Sequence, residues 1–108
     1  MAEVPDQYLN IKKRFSKFSK AIDNLGKVAR DSGPIDKKTS HLIQMAAAVA
    51  IRSEGAVHSH ARRALKAGAA PEEIYHAIIL LTSTIGFPTV SAALSWADDV
   101  VMVKKQKN

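Results

Sequence analysis

Near the start of the chain, apolar residues fall at Tyr8, Ile11, Phe15, Phe18, Ile22, Leu25 and Ala29, in alternating steps of three and four. That rhythm gathers them on one face of a helix, so the spacing predicts an amphipathic first helix over about 6–30. A strict stripe of this kind also suits a coiled-coil-like seam, which equips the helix to pack on another subunit as readily as on its own chain. Asp31-Ser32-Gly33-Pro34 is expected to end it, with Gly33 as the C-terminal cap and Pro34 unable to continue.

The pattern then changes character. Asp36 can cap a second helix, and Met45-Ala46-Ala47-Ala48-Val49-Ala50-Ile51 is apolar on every face, which predicts a buried central helix. After Ser53-Glu54-Gly55, a third helix is expected to run to about Ala67, with Val57, Ala61, Ala64 and Leu65 inward, and Gly68 closes it. Pro71-Glu72-Glu73 makes a favourable first turn for a fourth helix reaching Ile85, because proline tolerates the first helical position and acidic side chains suit the positive end of the dipole. Gly86-Phe87-Pro88 stops and restarts the chain. The last helix turns Val90, Ala93, Leu94, Ala97 and Val101 inward and is expected to fray into a basic tail at 104–108. Trp96, with Val100 and Val103, reads as core or interface.

Five such helices in 108 residues, 46% of them apolar, predict an all-α fold in a single domain spanning 1–108. The chain has no cysteine, which rules out disulfides, thiolate metal sites and a cysteine nucleophile. Residues 1–6 lack a secretory pattern and no apolar run approaches the roughly 20 residues of a membrane span, so a cytoplasmic protein without membrane contact is expected. The net charge of +6 raises nucleic acid as a partner. Lys12, Lys13, Arg14, Lys17 and Lys20 lie along an amphipathic helix, however, and no recognition motif or aromatic platform accompanies them, so nucleic-acid binding is not expected.

Several segments, taken in order, resemble the carboxymuconolactone decarboxylase and alkylhydroperoxidase D-like family. They are Lys38-Thr39-Ser40-His41-Leu42-Ile43, then His60-Ala61-Arg62-Arg63-Ala64-Leu65-Lys66-Ala67-Gly68-Ala69, then Pro71-Glu72-Glu73-Ile74, and finally Gly86-Phe87-Pro88 with Ala92-Ala93-Leu94. The resemblance places a family core at about 36–103. It implies an AhpD-like helical fold assembling as a homo-oligomer, a trimer or a hexamer, with a small site at the start of the helix that holds a Cys-x-x-Cys-x-x-x-His motif. With His60 as the motif histidine, the cysteine positions fall on Ser53 and Ala56. The glutamate that peroxidase-type members carry twelve residues before the first cysteine falls on His41. Thiol peroxidase activity is therefore disfavoured: a serine hydroxyl forms no disulfide, and Ala56 removes the second thiol altogether.

Residues three and seven apart share a helix face, so Ser53, Ala56 and His60 line one side of the third helix. The decarboxylase branch needs no thiol, and the candidate catalytic groups are His60 as the proton-transfer residue, assisted by His41 and Ser53. Arg52, Arg62 and His58 are candidates for holding an acidic small-molecule substrate. Each also has a plainer reading. His60 can be a helix-flank histidine bonded to a carbonyl, and His41 a packing or capping residue that meets His60 only if the third helix folds back or across a subunit boundary. His58 and His76 read as surface residues, and Ser53 as a helix cap. His58 and His60 lie about 200° apart around the helix and cannot share a metal, so neither a metal nor a cofactor is expected. Two functions follow: a cofactor-independent lyase or binder of a small organic acid with a small pocket around His60, or a non-catalytic scaffold or binding member of the family.

Overall fold

The computed structural model describes residues 6–106, the last three by backbone alone, and among them there is no strand. Seven helical segments are present: α1 (Asp6–Arg14), α2 (Ser16–Asp31), α3 (Lys37–Ala50), α4 (Glu54–Lys66), α5 (Pro71–Ile79), α6 (Thr82–Ile85) and α7 (Phe87–Gln106). They fall into two compact units, divided between Asp36 and Lys37.

The first unit holds α1 and α2, where the stripe predicts one continuous helix. Phe15 breaks it, leaving the helical region at φ −132° and ψ 60°. No glycine or proline announces the break. Its effect is to let α1 pack back on α2, where Ser19 is buried and the Tyr8 hydroxyl donates to the Asp23 carboxylate at 3.4 Å. Phe15, Phe18, Ile22, Leu25 and Val28 of the stripe's neighbourhood remain more than half exposed. At the far end Gly33 is not in the left-handed region; the cap is Ser32, whose hydroxyl donates to the Val28 carbonyl at 2.6 Å, and Pro34 prevents continuation.

The second unit contains α3 to α7. α3 and α4 form a hairpin, α4 also packs on α7, and α5 lies against α3, α4 and α7. One core joins Met45 and Val49 of α3, Val57, Ala61 and Ala64 of α4, Ile74 and Ile78 of α5, and Val90, Ala93, Ala97, Val100 and Val101 of α7. The inward faces of α4 and α7 thus fall where the spacing puts them, with Leu65, Leu94 and Trp96 at the edge of the cluster. Alanine supplies two of the three α4 residues and two of the five α7 residues in this core, and small side chains permit a close approach of two helices.

Two expectations fail in this unit. The Met45–Ile51 run is not buried all round: Ala47, Ala50 and Ile51 face outward, Ile51 at 77% exposure. The fourth helix stops at Ile79, and a turn at Leu80 and Leu81 leads to the short α6. α5 has only nine residues, too few to be stable alone. Full burial of Ile74 and Ile78, each contributing about 1.5–3 kcal/mol, outweighs anything its cap supplies. That cap is half a capping box: the Glu73 carboxylate accepts from the Ala70 amide at 2.9 Å, while Ala70 has no side-chain oxygen to reciprocate. Glu73 also meets Lys38 of α3 at 3.0 Å, and the Ala70 amide first, then Lys38, hold its carboxyl below the usual range.

Gly68 ends α4 as expected, at φ 105°, with Ala69 N–H bonding to Ala64 O and Gly68 N–H to Leu65 O. The end of α3 repeats this pattern with Ser53 N–H on Ala48 O and Arg52 N–H on Val49 O, but Arg52 occupies the left-handed position at φ 57°. A side chain there costs about 1–2 kcal/mol relative to glycine. The last helix continues into the expected basic tail as far as Gln106; Lys107 and Asn108 of that tail, like residues 1–5, lie outside the described residues. Among the described residues, no helix is long and apolar enough to cross a membrane.

Candidate functional site

The α3–α4 hairpin decides the site. His41 sits in the second turn of α3 and is 1% exposed, while His60 lies midway along α4 and is half-buried. Because the two helices run back along each other, the rings meet: Nδ1 of His41 is 3.2 Å from Nδ1 of His60, with centroids 5.4 Å apart and planes tilted by 33°. The fold-back on which their meeting depends is thus made within one chain.

A bond between two Nδ1 atoms dictates their protonation. One must carry hydrogen and the other must present its lone pair, so the rings hold opposite roles at this contact. Hydrogen on both Nδ1 atoms would set two N–H groups against each other and leave neither an acceptor. The contact therefore carries one hydrogen between its two Nδ1 atoms. Solvent access divides the roles further, since His41 is closed off and only His60 retains exposed surface.

The remaining predicted residues are distributed around this pair. Ser53 occupies the N-terminal cap position of α4 as expected, but its side chain makes no capping bond. Ala56 is half-buried against the core. Ser53, Ala56 and His60 share one face of α4 by spacing, and side chains on a helix lean toward its N-terminus, which tilts His60 back toward Ser53. Arg52 is exposed, and its guanidinium donates to the Thr89 hydroxyl of α7 at 2.7 Å.

His58 and Arg62 are not brought to the pair. They stand four residues apart on a face of α4 turned away from His60. His58 Nε2 lies 3.0 Å from the Asp99 carboxylate of α7 and 3.9 Å from that of Glu54, so it is a surface histidine with partners. Arg62 is partly buried, and burial first, then the neighbouring Arg63 charge, lowers its affinity for the proton. His76 is exposed. Sequence reasoning missed Thr89, Asp98 and Asp99, the α7 residues that engage Arg52, Tyr75 and His58. The Tyr75 hydroxyl donates to Asp98 at 2.6 Å, and burial, then this bond and charge, push its pKa up to about 12. These partners stand 23 to 41 residues apart in sequence, and no local spacing signals them.

Comparison with known proteins bears on what this arrangement is. The model of the carboxymuconolactone decarboxylase family matches residues 16–99, which takes in α2, the histidine pair and most of α7. The crystal structure of an apo carboxymuconolactone decarboxylase family protein from Legionella pneumophila is similar, with a TM-score of 0.75 and 26% identity over 89% of this chain and 86% of that one. A comparison with curated proteins finds no match. The family model begins at the first residue of α2 and spans both helices that carry the paired histidines: the chain belongs to the carboxymuconolactone decarboxylase family.

Proposed function

We propose that the chain is a cofactor-independent lyase acting on a small organic acid, with His60 as its proton-transfer residue and His41 as the group that positions it. The observation that carries this reading is the 3.2 Å bond between a buried and a half-exposed imidazole. Loss of carbon dioxide from a lactone carboxylate leaves an electron pair at the α-carbon, delocalised into the adjacent carbonyl. Protonation of that carbon completes the exchange, and an imidazole can supply the proton. His60 delivers it, and His41, fixed in the core, holds the ring that delivers it.

The substrate carboxylate is placed at the N-terminal end of α4, where free amides and the helix dipole favour an anion and where Ser53 and Arg52 stand. His60 lies seven residues further on, about 10 Å along the axis, and its lean toward Ser53 shortens that span to the length of a small dicarboxylic lactone. Compared with a family member carrying glutamate at the position of His41, this centre has one negative charge fewer. It therefore repels an anionic substrate less, and the bound substrate carboxylate supplies the negative charge beside a protonated His60. Peroxidase chemistry stays disfavoured, since Ser53 and Ala56 supply no thiol.

The test is decarboxylation of a carboxymuconolactone followed by the disappearance of its ultraviolet absorbance. Turnover in the natural chain that is abolished in His60→Ala, with helical circular dichroism unchanged, supports the lyase. Retained turnover in His60→Ala removes the residue from the mechanism.

A second reading, an assembling scaffold without catalysis, is favoured by a separate observation. Ile51, Ile79, Leu80 and Phe87 are each more than half exposed in the α3–α7 unit, and the α2 stripe is equally open. Self-association into a trimer or hexamer would cover such side chains. Light scattering on the eluting protein gives the subunit number, and an inactive oligomer with no affinity for lactone acids would favour the scaffold.

A further inference from the structure

We propose that Glu54, His58 and Asp99 form a binding site for a divalent transition-metal ion of the zinc class, joining α4 to α7. The three residues each offer one ligand atom, and these atoms lie within 4.8 Å of one another. Glu54 and His58 share a face of α4 at a spacing of four, and Asp99 comes from α7.

Two carboxylates converge here on one nitrogen. A single Nε2–H donates well to one acceptor, and Asp99 at 3.0 Å takes it. The Glu54 oxygen at 3.9 Å is beyond hydrogen-bond reach of the same atom, so one proton serves two negative groups poorly. A dication that takes the place of the Nε2 hydrogen, with the ring keeping its hydrogen on Nδ1, is held by both carboxylates and the freed Nε2 lone pair together. Bonds of about 2.0–2.1 Å in a tetrahedral arrangement set ligand atoms about 3.4 Å apart; the two contacts to Nε2 fall on either side of that value, and rotation of the exposed carboxylates closes a set that spans up to 4.8 Å.

The donor set selects the class of ion. One imidazole with two carboxylates suits zinc and its neighbours, whereas calcium and magnesium favour all-oxygen shells and soft monovalent copper favours sulfur. Glu54 and Asp99 side chains are 56% and 58% exposed, so the remaining coordination position opens to water. The site stands on the opposite side of α4 from the paired histidines, and it does not depend on their role.

Calorimetric titration of the chelator-treated full chain with zinc chloride tests it, alongside the absorption spectrum of the cobalt(II) form. The expected result is one equivalent bound per chain in the micromolar range, weakened at least about tenfold by Asp99→Asn and by Glu54→Gln, and abolished by His58→Ala, while His60→Ala binds as the natural chain does. Cobalt absorption of four- or five-coordinate intensity accompanies that binding. A dissociation constant weaker than about 1 mM overturns the proposal. So does binding that survives Asp99→Asn and His58→Ala together, or binding lost in His60→Ala. Circular dichroism of each variant shows that the surface changes leave the helices in place.

Discussion

Two residues apart on α4, His60 meets a buried imidazole of α3 while His58 meets two carboxylates, one on its own helix and one on α7. The residue type and the helix are the same, and the neighbours decide the chemistry. His60 faces a second imidazole, which donates or accepts according to its tautomer, within the hairpin. His58 faces fixed negative charge in contact with water, a setting for ion pairing or metal binding and a poor one for proton exchange with a buried partner. A histidine's function is thus set by the second helix it reaches, which a reading of α4 alone does not contain.

The strongest way to break this comparison is turnover. His60→Ala should reduce lactone-acid decarboxylation at least about 100-fold, the lower bound for loss of a general acid–base group, and His58→Ala should leave the rate unchanged; steady-state kinetics on both variants decide it. If His58→Ala were the slower enzyme, the assignment of the two histidines would be reversed.

Stability gives the next largest contrast. His41→Ala deletes a closed-off ring and leaves the His60 Nδ1 without its partner, for an expected loss of about 2–3 kcal/mol in urea unfolding. His58→Ala, on the half-exposed side, should cost about 1 kcal/mol or less. Equal losses would mean that the pair in the hairpin is no better packed than the surface cluster.

The hairpin turn itself supplies a smaller effect. Arg52→Gly removes a left-handed side chain but also the bond to Thr89, so the net gain should stay within about 1 kcal/mol, read as a small rise in Tm. The same change made at Gly68 in reverse, Gly68→Arg, should lower Tm. On the carboxylate side of α7, Tyr75 releases its proton late. Ultraviolet titration should place its phenolate near pH 12, and Asp98→Asn should bring it down. Its folded value is raised, so its contribution to stability is present below the ordinary tyrosine value of about 10 and is lost as pH rises through 12.

What could be read from the residues follows from the range of the interactions involved. The inward faces of α4 and α7, the Gly68 stop and the proline start of α5 are local matters of spacing and backbone freedom, and each falls where the sequence places it. The break at Phe15 has no local signal, because folding α1 onto α2 is a gain made across 15 residues between Tyr8 and Asp23. Arg52 conceals a turn that Gly68 advertises, although the hydrogen bonds are the same. The all-round apolar run of α3 was misleading, since apolarity marks surfaces that subunits can cover as well as cores. At the site, family spacing singled out His60 and His41 as positions, but their contact needed the hairpin. Asp99 and Thr89, on another helix, had no spacing to betray them.

The alanines that α4 and α7 bring to the core have a mechanical consequence for the histidine pair. Ala61 and Ala64 of α4 are fully buried, as are Ala93 and Ala97 of α7, so both helices meet the core through small side chains. Added volume there is taken up by the spacing of the helices, and a shift of α4 carries His60 with it. These small side chains are in effect an adjusting screw for the contact between the two imidazoles. Sequence variation at Ala61 or Ala93 would retune a proton-sharing distance without touching either imidazole.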